Sequence, residues 1–346
     1  MQRTKPTNHP QFKTLKRLLS VFLATLLLCG GFVVGVSAAD NDDITAAFTD
    51  ANFKAYVLEN FDANSDGAIQ KSEVENVTGV DVANKQIASL AGIEYFTALE
   101  QLRCQGNQLT ALDVSKNTAL EIFYCYDNQL TTLDVSGCTA LLDLMCDSNQ
   151  LTALDVSKNT ALDLLYCGYN PLNSLDVSKN TALTELWCHN NQLTTLDVSK
   201  NTALISLDCD YNQLAALDVS KNTALEWLHC SDNQLTALDV SKNIELEYLD
   251  CPMNWLPSED SVPGLADVRA RGGIVYFYPQ REGTPPDPQP NPDPQPNPDP
   301  QPNPKDPDGN GTENIELWGK VTKYDKTPLN YFLLIVAFGW IWMAFK

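Results

Sequence analysis

The chain has 346 residues, 23 Lys and Arg against 44 Asp and Glu, and a formal charge of −21. Residues 1–39 hold five of the bases (Arg3, Lys5, Lys13, Lys16, Arg17) and no acid, so the remainder is more negative still. Such a surface repels phosphate and argues against nucleic acid or anionic lipid as a partner, while a hydrophobic fraction of 43% suffices for a packed core.

In chain order, residues 1–39 read as a secretory signal peptide. A basic stretch ends at Arg17, an apolar run covers Leu18 to Val36, and small residues follow at Ser37, Ala38 and Ala39. Residues 40–77 predict a small helical cap, with a helix over Ala51–Phe61. Directly after it, residues 62–73 fit the EF-hand calcium loop at every diagnostic position. Asp62, Asn64 and Asp66 offer side-chain oxygens, Gly67 permits the sharp turn, and Ala68 offers its carbonyl. Ile69 fills the apolar position, Gln70 can act through water, and Glu73 is the bidentate ligand. One structural Ca2+ is the expectation; the competing reading is an acidic cap ahead of a helix.

Residues 78–98 read as a degenerate capping repeat with apolar Val80, Val82, Ile87 and Leu90, and 99–258 as eight repeats. Cys104, Cys125, Cys146, Cys167, Cys188, Cys209, Cys230 and Cys251 recur every 21 residues. Within the first unit, alternation predicts a short strand over Gln101–Gln105 with Leu102 and Cys104 inward. Asn107 and its seven successors predict a buried amide ladder, and Leu112-Asp113-Val114 a second, opposite strand-like side. The Cys column predicts small buried hydrophobes rather than disulfides, because coils ~4.8 Å apart with parallel side chains miss the Cβ spacing a disulfide prefers. Cys138, where other units have Asn, stands out as the candidate reactive thiol.

Residues 259–283 predict a C-terminal cap closing on a strand at Gly273–Tyr278. Residues 284–308 form a linker in which Asp-Pro-Gln-Pro-Asn-Pro occurs three times, a composition that forbids helix and sheet. A polar segment, 309–328, then leads to an apolar tail, 329–346, read as a membrane or sorting helix that holds the protein at the surface.

The repeat pattern, Leu99-x-x-Leu102-x-Cys104-x-x-Asn107-x-Leu109, resembles that of bacterial internalin-like leucine-rich repeat surface proteins over roughly 78–281. The resemblance implies a β-rich α/β horseshoe solenoid with adhesion or host-cell contact as its function. The 21-residue period, the Cys column, the prolyl linker and the apolar tail stand as departures from that family. The calcium loop is similar to that of dockerin modules, but these carry two copies and one is found here, so docking to a cohesin is not expected.

Comparison of the units separates two faces. The Leu-Asp-Val-Ser-Lys-Asn-Thr segment barely changes, whereas the exposed positions around each Cys vary freely. On that variable strand face, Tyr124, Tyr126, Met145, Tyr166, Trp187, Trp227 and Tyr248 predict a recognition surface for a protein or glycan; cross-strand stacking that only stabilises the sheet is the alternative. His189, Asp208, Asp210, His229 and Asp250 cluster further along, as a solvated polar patch or a second metal site. A Ser231/His229/Asp208 triad would sit on an open sheet with no oxyanion hole, so no catalytic residue is assigned. The expectation is a monomeric, secreted binding protein on the outer face of a bacterial envelope. A structural envelope component and, more remotely, a metal-dependent enzyme are the alternatives.

Overall fold

A computed structural model describes residues 43–285. The signal segment, the repeating part of the prolyl linker and the apolar tail lie outside the described residues. Among those described, no helix is long and apolar enough to cross a membrane.

The 21-residue period is converted directly into a solenoid. Ten three-residue strands, β1 (Gly79–Asp81), β2 (Gln101–Arg103), β3 (Ile122–Tyr124), β4 (Asp143–Met145), β5 (Leu164–Tyr166), β6 (Glu185–Trp187), β7 (Ser206–Asp208), β8 (Trp227–His229), β9 (Tyr248–Asp250) and β10 (Ile274–Tyr276), form one parallel sheet in sequence order. From β2 to β9 each residue pairs with the one 21 positions on, as in Leu102↔Phe123 and Phe123↔Leu144. The hydrogen bonding runs on past each strand, with the Cys104 amide donating to the Tyr124 carbonyl at 2.8 Å and that of Cys125 to Met145 at 2.9 Å.

Burial follows the pleat. In β2 to β9 the middle residue faces inward and its neighbours face out. Stacked columns of Leu, Val and Cys then fill the interior, with Leu99, Leu102, Cys104, Leu109 and Val114 fully buried in the first turn. No coil could bury these residues alone; each covers its neighbour's open face. The second, opposite side predicted at Leu112-Asp113-Val114 is not a strand. There the Asp side chains instead accept the amide two residues on, as Asp113 does from Ser115 at 2.8 Å, and this turn recurs at Asp134, Asp155, Asp176, Asp197, Asp218 and Asp239.

Two Asn ladders stitch the coils. In the predicted one, Asn128 donates to the Cys104 and Cys125 carbonyls and accepts from the Leu109 amide, so one side chain joins two turns. The second ladder, Asn117, Asn159, Asn180, Asn201, Asn222 and Asn243, is fully buried. Its amides also donate to two carbonyls each, as Asn180 does to Val156 and Asn159 at 2.9 Å. Cys138 occupies the missing rung. It is fully buried, and its Sγ lies 3.7 Å from the Val114 and Asn117 carbonyls, the positions an Asn amide would serve. Burial raises its thiol to about 11. The reading of Cys138 as a reactive thiol is therefore corrected: it is a rung of the ladder.

The exposed apolar ends are closed by caps. At the N-terminal end, α1 (Ala51–Phe61) begins at Asp50, whose carboxylate accepts the Asn52 and Phe53 amides and also that of Ala88 in the first coil. Phe48, Phe53, Phe61 and Phe96 pack edge to face beneath it. Gly92 is required here: its φ is +103°, and a Cβ would lie 2.4 Å from the Phe48 ring. At the other end, α3 (Leu265–Ala270) buries Leu265 and Val268, and β10 pairs with β9.

Candidate functional site

Three groups of side chains were singled out by the sequence, and they differ in how the fold presents them. The first is the loop between α1 and the short helix α2 (Lys71–Val74). Asp62 accepts the Asp66 and Gly67 amides, and Glu73 accepts those of Ala63 and Gln70 at 2.9 Å each. Glu73 is thus folded back across the mouth of the loop, as a bidentate ligand at its last position requires. Gly67 has φ +80°, Ser65 has φ +59°, and Asn64 donates to Asp66 and Gln70 across the loop. Carboxylate, amide and carbonyl oxygens of this kind are the donors that calcium favours.

Sequence reasoning did not find the segment that supports this loop. Ile69 is buried, its carbonyl accepts the Ile44 amide at 2.8 Å, and its amide donates to Thr45 Oγ1 at 2.6 Å. Asp43 and Gln70 form an antiparallel bridge. Backbone pairing and a single Thr hydroxyl leave no side-chain pattern to read.

The second group is the aromatic strand face. Arg103 lies over the Tyr124 ring at 5.6 Å, and Tyr166 stacks on Trp187 with ring centres 4.2 Å apart and planes 2° from parallel. The Tyr166 hydroxyl donates to Glu185, and Trp187 Nε1 to Ser206 Oγ. Tyr124, Tyr126, Met145, Tyr166 and Trp187 are all half-buried. Further along, Trp227 stacks on Tyr248, and Tyr248 leans on Tyr276. Here Trp227 is 42% exposed, Tyr276 52% and Ile274 53%, with Tyr248 half-buried between the two rings. Tyr276 and Ile274, read only as part of a closing strand, extend the strand face because β10 continues the register of β9. Tyr169 and Tyr211 are also exposed, at left-handed turn positions with φ of 50° and 53°.

The third group is polar. Register places Asp208, His229 and Asp250 side by side on β7, β8 and β9. His229 Nδ1 lies 4.0 Å from Asp210 Oδ2 and 3.8 Å from Asp250 Oδ2. Asp210 Oδ1 accepts the Ser231 amide at 2.5 Å, and the Tyr248 ring stacks on His229 at 4.8 Å. Burial raises the Asp210 carboxyl, and Asp208 raises it further. Burial pulls the His229 imidazole down, but the Asp250 contact and the surrounding carboxylates outweigh it, so His229 is held above its ordinary value. His189 turns elsewhere: it packs edge-on to Tyr169, over Gly168, where a Cβ would lie 2.7 Å from the ring. Ser231 is buried and its amide serves Asp210.

No family model matches the chain. Over 70 residues it is 44% identical to Internalin J of Listeria monocytogenes, a match covering 20% of this chain and 8% of that protein. Among solved structures, a functional domain of InlJ from Listeria monocytogenes that includes a cysteine ladder is similar with a TM-score of 0.55 at 37% identity, over 65% of this chain and 55% of that one. The chain thus spans about half of that solved domain. An internalin C2 of the same organism matches with a TM-score of 0.56 at 20% identity over 70% of this chain and 100% of its own. A leucine-rich repeat protein of Leptospira interrogans matches with a TM-score of 0.54 at 23% identity, over 59% of this chain and 56% of its own. The Cys column, read from sequence as a departure from the internalins, is therefore a feature that one of them carries. The fold is a leucine-rich repeat solenoid, similar to those of the internalins.

Proposed function

We propose that this is a secreted, surface-held binding protein that recognises a protein partner through its strand face. The observation that carries the reading is the pair of exposed rings, Trp227 and Tyr276, packed on either side of the half-buried Tyr248, with exposed Ile274 beside them, on the sheet of a solenoid. Large rings held upright by their neighbours offer contact area with little entropy left to lose on binding. Monomeric repeat proteins offer such faces to partners, whereas Tyr166 and Trp187 spend their ring faces on each other and contribute more to sheet stability. The 62–73 loop binds one Ca2+ through Asp62, Asn64, Asp66, Ala68, Gln70 and Glu73, and the ion stiffens the cap rather than contacting the partner. Export by residues 1–39 and retention by the 329–346 tail place the strand face outside the cell.

The test is a binding screen of the purified protein, with calcium, against host surface proteins, mucins and envelope glycans. A Trp227→Ala/Tyr276→Ala variant runs alongside. A protein partner lost by at least about tenfold in a variant with an unchanged melting curve supports the reading, since removing central aromatic anchors costs ~2 kcal/mol or more. A glycan in place of a protein would change the ligand class, and binding indifferent to the rings would refute the strand face.

A further inference from the structure

We propose that Asp210, His229 and Asp250 form a binding site for a divalent transition-metal ion of the zinc class on the strand face, distinct from the calcium loop. Among the described residues, these three make up the group of metal-ligating side chains whose donor atoms all lie within 4.8 Å of one another. The solenoid builds the site from three successive coils. Asp208, His229 and Asp250 share one column, and Asp210 lies two residues on from Asp208, on the same face.

Two of the three donors are oriented by something outside the triad. Asp210 has one oxygen held by the Ser231 amide, which leaves Oδ2 directed at His229. The His229 ring is held by stacking on Tyr248. Support of this kind fixes first ligands in metal sites. The gaps from Nδ1 are 3.8 and 4.0 Å. Three donors at bonding distances of ~2.1 Å around one ion stand ~3–3.5 Å apart, so small side-chain rotations close the site.

Charge points the same way. Asp208, Asp210 and Asp250 bring three carboxylates around the single His229 imidazole, a concentration of like charge on one face. A dication between them removes that conflict. An imidazole with two carboxylates suits zinc, manganese or cobalt better than calcium, which prefers oxygen alone. Three protein ligands leave at least one position open to the strand face. The Cys thiols lie buried in the core beneath the sheet and do not share the strand face with the three ligands.

The test is titration of the full chain with Zn2+ in the presence of excess Ca2+, followed by Co2+ substitution read by visible absorption. One equivalent bound, with a nitrogen and oxygen d–d spectrum and no thiolate charge-transfer band, is expected. His229→Ala and Asp250→Asn should each weaken binding at least tenfold, while Asp197→Asn, outside the sheet, should not. Because both ligand variants change partly exposed side chains, circular dichroism will show whether each still folds, and either one alone decides. No binding below millimolar Zn2+, a thiolate band, or affinity unchanged in a folded ligand variant would overturn the proposal.

Discussion

At the residue scale, position matters more than residue type. Asn107 and its successors were legible because they follow a strand at fixed spacing. The second ladder was not, since Asn117 and its equivalents sit in a Ser-Lys-Asn-Thr stretch that reads as a solvated turn, yet they are fully buried. Cys138 misled for the opposite reason: a deviating residue draws a functional reading, but its thiol does the work of an amide. Asn180→Ala should lower stability by about 2 kcal/mol, because the Val156 and Asn159 carbonyls lose their donor inside the core. Asn180→Cys should be milder, as Cys138 shows the rung can be filled by sulfur; urea denaturation of both variants measures the difference, and equal losses would contradict it. Asp147 supplies a pH test. Burial raises its carboxyl to about 7 while its oxygen accepts the Gly168 amide at 2.9 Å. The folded state therefore holds this proton more tightly than the unfolded one, so stability falls as pH rises from about 4 to 7. Asp147→Asn keeps the acceptor and removes that fall, and should melt higher than the parent at pH 8 but not at pH 4. A variant less stable at pH 8 would contradict the assignment.

At the element scale, the strands were legible and the opposite side of each coil was not. Alternation around Leu102 and Cys104 marks a pleat, whereas Leu112-Asp113-Val114 alternates equally well without any partner strand. There the Asp serves a local turn, a competitor to strand pairing that apolar spacing cannot reveal. The 62–73 loop was legible as a motif, because most of the positions that define it are side chains at fixed spacing. Its partner segment, Asp43–Thr45, acts through backbone bonds and one Thr45 hydroxyl, and left no signature. Since Ile69 anchors the loop to that segment and α1 carries Asp50 onto the first coil, ion binding should stiffen the whole cap. Calcium at a hundred times its dissociation constant should add about 2.7 kcal/mol to the unit it stabilises. Differential scanning calorimetry should show an upward shift with Ca2+ that Glu73→Gln abolishes; an equal shift in that variant would place the ion elsewhere.

For the whole molecule, the repeat dictates the architecture. A 21-residue period in register over eight units can bury its Leu, Val and Cys columns only by stacking coils, so the solenoid was legible from spacing alone. What it presents was only half legible. The aromatic columns were visible, but how far each ring stands out depends on stacking between coils and on the closing strand, which adds Ile274 and Tyr276. The central claim is that this strand face, not the uniform Asp-Lys side, meets the partner. The most direct measurement compares two variants on cells or beads coated with the partner: Trp227→Ala/Tyr276→Ala on the strand face, and Lys158→Ala/Lys179→Ala/Lys200→Ala on the uniform side. The account predicts at least a tenfold loss of adhesion for the first and little change for the second. Full adhesion by the first with loss in the second would contradict it.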